Sequence, residues 1–320
     1  MLAIRMDASY QKVLSNWDVG PIQSVEPFTT DKYRCSGSVL FLTTPAGRFV
    51  LKRIAGRTSP DPLFALLPAL STYGVPVAVP LPTKHGQIAH FDNGDCYYLA
   101  PYLPGEVILD HFGLGALERS VSFGAALANL HKGLKEATHA MALPDMDLLG
   151  QVLECQAGAE MRASSCEELS TLGETVKAFQ AMGPLPTQVI HRDSHASNVL
   201  FETDQVSGWL DFELTTTGPR VFDLCYYSTS LLMDALYDST KRAAWLEVLR
   251  NLVHGYESVE PLTEAEHRLL PYVLLSVEAI FTSYCVSIND QAAASKNIDA
   301  LLWIKESLPS ILVVSKSQSG

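Results

Sequence analysis

Residues Val189 to Glu213 constrain this 320-residue chain more than any other stretch. The apolar pair Val189-Ile190 enters a polar loop, His191-Arg192-Asp193-Ser194-His195-Ala196-Ser197, and Asn198 leads back into apolar Val199-Leu200-Phe201. Thr203 and Asp204 mark a turn, and a second apolar run, Trp209-Leu210, ends at Asp211. Apolar runs bounded by turn residues predict a loop followed by a tight two-strand unit. That arrangement would collect Asp193, Asn198 and Asp211 at one end. One carboxylate can orient a hydroxyl and accept its proton. The second carboxylate and the amide oxygen are hard oxygen ligands for magnesium, which would offset the charge of a triphosphate. Such a set suits phosphoryl transfer.

The spacing from Asp193 to Asn198 matches the protein-kinase pattern H-R-D-x-x-x-x-N. With His195 included, the loop resembles the H-G-D-x-H-x-x-N loop of the aminoglycoside phosphotransferase and choline kinase-like family. Asp211-Phe212-Glu213 resembles that family's second acidic motif, which stands where protein kinases have D-F-G. Thr217-Gly218-Pro219-Arg220-Val221-Phe222-Asp223-Leu224 is similar to its G-P-x-x-x-D-L segment, and Leu127-Ala128-Asn129-Leu130-His131 to its L-A-x-L-H. Extended, proline-rich Val75 to Thr83 resembles homoserine kinase-like and spore-coat-kinase-like members. The likeness spans roughly residues 30 to 300.

This resemblance implies an α+β, protein-kinase-like fold of two lobes. A small antiparallel β N-lobe (1–101) and a larger, mostly helical C-lobe (107–320) are joined by a hinge at 102–106. It implies ATP and Mg2+ as cofactors and a small-molecule hydroxyl acceptor: an amino alcohol, a homoserine-like compound, a sugar or an aminoglycoside. Asp193 would be the base, with Asn198 and Asp211 on magnesium. Lys52, in the apolar strand Phe49 to Ile54, would steady the nucleotide's phosphates. A lysine on an alternating strand can equally face solvent. Backbone groups of Ser36, Gly37 and Ser38 would approach a phosphate, and those of Ala100 and Tyr102 the adenine edge. His191, His195 and Glu213 would support the site, and Asp223 would brace the loop backbone. His131 would pack behind that loop.

The chain departs from the pattern in three places. The Cys35-Ser36-Gly37-Ser38 turn has one glycine. Arg192 stands where the family usually has Gly. The helix after Lys52 lacks the usual glutamate, Asp61 being the only acid between Lys52 and Gly74. The poor glycine loop and the missing glutamate motivate a rival reading, a catalytically weak or inactive kinase fold used for binding or scaffolding. A metal-dependent hydrolase would need more closely spaced ligands than His191, Asp193 and His195 supply.

Lys plus Arg number 23 and Asp plus Glu 35, a net charge of −12. That balance argues against nucleic acid as a partner and is compatible with a cationic acceptor; many soluble enzymes are acidic for solubility alone. The six cysteines form no C-x-x-C pair, which predicts neither zinc nor a disulfide framework and fits a reducing compartment. Met1 to Gly20 does not read as a signal peptide, and Tyr272 to Ile288 reads as a buried helix, not a membrane span. A cytoplasmic protein is expected, and oligomeric state stays open.

Hydrophobic periodicity predicts a short helix around Tyr10 to Trp17, then strands at Ile22–Thr30, Tyr33–Thr43 and Arg48–Ile54, with Thr44 to Gly47 as a hairpin turn. A helix over 61–73 capped by Asp61, with Pro62 in its first turn, precedes strands at Gln87–Phe91 and Asp95–Pro101. Further helices are predicted at 116–134, 146–163, 165–182, 221–237, 240–258, 263–287 and 291–313. Ser165 and Glu168 form a candidate capping box. The aromatic residues of the C-terminal helices, Tyr226 among them, read as core.

Overall fold

A computed structural model describes residues 8–28, 38–56, 63–138, 141–162 and 164–316. Ser36, Gly37, Asp61 and Pro62 lie outside the described residues, so the phosphate-loop and helix-cap expectations resting on them do too. The chain forms two compact units, Met1–Gly105 with Ser207–Leu210, and Glu106–Val206 with Asp211–Gly320.

The first unit is built on an antiparallel sheet ordered β1-β2-β3-β5-β4. Its strands are β1 (Ser24–Pro27), β2 (Val39–Thr44), β3 (Gly47–Ile54), β4 (His90–Asp92) and β5 (Asp95–Pro101), with helices α1 (Ala8–Leu14) and α2 (Leu63–Thr72). Thr44 pairs with Gly47, so Pro45-Ala46 is a two-residue hairpin turn. Asp92 pairs with Asp95 across Asn93 and Gly94, both at positive φ, the geometry a two-residue turn needs to match strand twist. Alternation along β3 puts Phe49 and Leu51 into a core with Val13, Trp17, Leu42 and Leu99. Lys52 lies on the opposite face, level with Tyr98.

β1 falls short of the expected Ile22–Thr30, and two other elements are shorter than expected for visible local reasons. α1 ends at Leu14 because Ser15 and Asn16 side chains donate to the Lys12 and Val13 carbonyls, competing with further helical turns. β4 starts at His90 because Thr83 holds Gln87 in a turn through both its backbone amide and its hydroxyl.

The second unit is mostly helical: α3 (Ala116–Ala137), α4 (Leu148–Met161), α5 (Cys166–Met182), α6 (Val221–Ala235), α7 (Ser239–Glu257), α8 (Glu264–Ser287) and α9 (Gln291–Lys316). Ser165 caps α5 by accepting from the Glu168 amide. The reciprocal half of the expected box is missing, because the Glu168 carboxylate is held by Arg162 instead. α3 and α7 cross backbone to backbone. A Cβ on Gly124 would lie 2.1 Å from the Leu252 carbonyl, and one on Gly255 2.1 Å from the Val121 carbonyl. This approach brings His131 of α3 to Tyr256 of α7.

Four short strands carry the polar loop. β6 (Thr187–Ile190) pairs antiparallel with β9 (Thr216–Pro219), and β7 (Val199–Glu202) pairs with β8 (Gln205–Trp209). β9 is unexpected. Thr-Thr-Gly-Pro reads as a turn locally, and only pairing with β6, with proline at the strand's end, makes it a strand.

α8 is the one described helix long and apolar enough to cross a membrane, and 67% of its most apolar window is buried inside the fold. Glu278, midway along it, is 2% exposed, and its Oε2 has no hydrogen-bond partner among the described residues. Burial raises its pKa to about 8, with Lys296 pulling the other way. An unfolded glutamate titrates near ~4.3. The buried carboxyl therefore carries no ionisation penalty below that value, and the penalty grows as pH rises towards the folded value. Calorimetry of Glu278→Gln from about pH 5 to about pH 9 should show the variant's stability gaining on wild type with pH, by on the order of a few kcal/mol. A pH-independent gap would refute this.

Candidate active site

β6 delivers the chain into the loop at His191, which is fully buried, its ring 4.4 Å from that of Phe212. Arg192 takes a left-handed conformation, φ 66°. A side chain there costs roughly 1–2 kcal/mol, which explains glycine as the expected occupant. Asp223, at the start of α6 and fully buried, offsets that cost. It accepts from the backbone amides of His191 and Arg192, each at 2.8 Å, and contacts His131 Nε2 at 3.0 Å. His131 in turn meets the Tyr256 hydroxyl at 2.8 Å. Ser194 donates to the Asp223 carbonyl, so the loop is tied to one residue at three points.

Asp193 is held on both carboxylate oxygens. Asn198 Nδ2 donates to its Oδ2 at 2.9 Å and to its backbone carbonyl at 2.8 Å; Tyr226 donates to Oδ1 at 3.1 Å. Burial raises the Asp193 pKa, and the nearby Asp211 adds to that, while His195, Tyr226 and Asn198 oppose it. With both Asn198 N–H bonds given to Asp193, its amide oxygen is turned away from that carboxylate.

His195 caps the one-turn helix Ala196–Asn198, its Nδ1 accepting from the Ser197 amide. Nδ1 is therefore the unprotonated nitrogen, and Nε2 carries the hydrogen, 3.7 Å from Asp193 Oδ1. Burial lowers the His195 pKa, against the pull of Asp193, so the ring is neutral at pH 7. Asp211, at φ 62°, leads into a one-turn helix, Phe212–Leu214, which holds half-buried Glu213.

The second unit thus gathers Asp193, Asn198, His191, His195 and Asp223, with Asp211 close enough to act on both Asp193 and His195. Lys52, Ser38, Ala100 and Tyr102 belong to the first unit. The Ser38 carbonyl accepts from Arg53 at the start of the β2–β3 ladder. The Tyr102 amide donates to Arg48, and alternation from that bond turns the Ala100 amide and carbonyl towards Val50. The Ala100 backbone is thus engaged inside the sheet, and the Pro101 carbonyl faces away from β3. The Tyr102 ring is held 4.0 Å beneath the Arg48 guanidinium.

Sequence reading placed Tyr226 in the core and overlooked its hydroxyl. Its spacing held the clue. Asp223, Tyr226 and Ser230 share one face of α6, and each bonds a different part of the loop: His191 and Arg192, Asp193, and Ala196.

The profile of the phosphotransferase enzyme family matches residues 34–270, which include the whole of this loop and its brace. The chain belongs to the phosphotransferase enzyme family. It is therefore an enzyme, a kinase-type phosphotransferase. It is 30% identical to the homoserine kinase of Gluconacetobacter diazotrophicus over 278 residues, covering 83% of this chain and 81% of that one. It is 27% identical to the homoserine kinase of Neisseria meningitidis over 275 residues, covering 83% of each. Among solved structures it is similar to the amicoumacin kinase hAmiN in complex with AMP-PNP, Ca2+ and Ami, with a TM-score of 0.67, 14% identity and coverage of 93% and 94%. An aminoglycoside phosphotransferase from Alicyclobacillus acidocaldarius superposes with a TM-score of 0.63 at 17% identity, covering 97% and 98%. These neighbours show the protein-kinase-like fold of this phosphotransferase, with its antiparallel sheet and helical C-terminal part.

Proposed function

We propose that the protein transfers the γ-phosphate of ATP to the hydroxyl of a small molecule, with homoserine or a similar hydroxylated amine as first candidate. The observation that carries the reading is the Asp193–Asn198 pair. Asn198 gives one N–H to the carboxylate and the other to the Asp193 backbone carbonyl, and leaves its amide oxygen for another partner. Asp193, ionised, orients the acceptor hydroxyl and takes its proton as that oxygen attacks the γ-phosphorus. The bond to the β-phosphate oxygen breaks, and ADP leaves.

The Asn198 amide oxygen and the Asp211 carboxylate are the proposed Mg2+ ligands, hard oxygens that would hold the ion near the Asp193 carboxylate, on which Asp211 already acts. When bound, the ion supplies neutralisation of phosphate charge. In the first unit, Lys52 is the proposed phosphate ligand and the Pro101 carbonyl the proposed contact for the adenine edge. α2 offers no glutamate to hold Lys52.

The homoserine kinase relatives at 30% and 27% identity support the acceptor class. The net charge of −12 is in keeping with a cationic acceptor. The test is ADP release from ATP and magnesium across a panel of homoserine, other amino alcohols, sugars and aminoglycosides. Turnover confined to homoserine-like acceptors is expected. Thermal stabilisation by ATP without turnover on any acceptor would instead favour a binding protein on the same fold.

A further inference from the structure

The two oxygens of Asp193 are held by residues of different origin. Oδ2 is held from within the loop, by Asn198. Oδ1 is held from outside it: among the described residues its one hydrogen bond comes from the Tyr226 hydroxyl, since His195 Nε2 stands at 3.7 Å, too far for one. An ionised carboxylate only accepts, so Tyr226 must be the donor.

Tyr226 is itself immobilised. It is 8% exposed, stacks on Phe281 of α8 with ring centroids 5.0 Å apart and planes at 18°, and meets the His195 ring edge-on at 5.9 Å. The titratable groups acting on it are Asp193 and Asp223 beside it and Glu278 on α8, all carboxyls. Burial and these carboxyls hold its phenol well above the usual tyrosine range, so it remains a donor at any working pH. It cannot serve as a base. Its available role is to stop the Asp193 carboxylate from rotating.

We propose that Tyr226 is a positioning residue for phosphoryl transfer, its hydroxyl locking Asp193 Oδ1 while Phe281 locks the Tyr226 ring. The proposal rests on the reading of Asp193 as the base. Without the phenol, Asp193 is tied on one side only and can swing about its Cβ–Cγ bond. Misplacement of a reacting group by about an ångström costs on the order of 10²-fold in rate.

Tyr226→Phe keeps the ring and its stack and removes only the hydroxyl. The expected result is a fall in kcat of about 10- to 100-fold, with KM for ATP and acceptor within about two-fold of wild type. Phe281→Leu, which keeps the hydroxyl and loosens its seat, should give a smaller fall of the same kind. A crystal structure of Tyr226→Phe should show the Asp193 carboxylate turned from its wild-type position, a readout independent of turnover. An active wild type with Tyr226→Phe at full kcat, a loss seen wholly in KM, or an unmoved Asp193 in the variant crystal would each overturn the role of Tyr226 alone. A wild type inert towards every acceptor, with Asp193→Asn no different, would overturn the kinase reading and this role together.

Discussion

Asp193→Asn should lower kcat by about 10²- to 10⁴-fold, the range general-base groups contribute. The substitution is nearly isosteric, so the loop keeps its shape. Asp223 still accepts from His191 and Arg192, and an amide oxygen can still accept from Tyr226 at the Oδ1 position. The other position then carries an NH2 facing the Asn198 NH2, and that hydrogen bond is lost. What disappears besides is basicity: an amide cannot take the acceptor's proton. KM for ATP should move less than kcat, because Lys52 and the Pro101 carbonyl, the nucleotide's proposed direct partners, are unchanged. Steady-state kinetics with homoserine, or whichever acceptor the panel identifies, provides the measurement. A variant keeping more than about a tenth of wild-type kcat would remove Asp193 from the role of base.

The largest expected stability effect lies at the N-termini of α6 and α8. Arg220 and Glu266 form a buried two-pronged pair, Nε to Oε1 at 2.7 Å and Nη2 to Oε2 at 2.9 Å, with Glu266 fully inaccessible. Arg220 also donates to the Pro261 carbonyl at 2.7 Å and reaches Glu260 at 3.2 Å. Glu266 further closes the capping box of α8 by accepting from the Thr263 amide at 2.8 Å. Glu266→Ala takes the two-pronged partner from the Arg220 guanidinium, leaving it to the Pro261 carbonyl and Glu260, and opens the cap. Removing one partner of a buried pair costs roughly 3–5 kcal/mol, which denaturant unfolding would register as a lowered midpoint with unchanged slope. The acid side adds a second readout. Burial pushes Glu266 up, but Arg220 and Thr263 more than reverse this and hold it below the usual range. The pair's contribution is therefore complete above the unfolded glutamate pKa of ~4.3 and fades as pH falls through the folded value. The gap between wild type and variant should narrow below about pH 4. A loss under about 1 kcal/mol at neutral pH would show that the pair contributes nothing net. The double substitution Arg220→Met/Glu266→Leu should recover much of the loss, since two apolar side chains need no partner.

The sequence alone determined the chemistry class. Asp193 and Asn198 are five residues apart within one loop, and a spacing so short is set by local backbone geometry, as is the place of Asp211, two residues past the end of β8. Helix boundaries in the second unit were legible for the same reason, because periodicity and caps act over a few residues. Only the tertiary structure decided how the loop is held. Tyr226 reaches Asp193 across 33 residues. His131 reaches Asp223 across 92 and Tyr256 across 125. β9 is a strand only because β6 lies beside it, and His131 meets Tyr256 only because Gly124 and Gly255 let two backbones touch. Such contacts follow from which faces pack together, and no local pattern encodes the partner of a face.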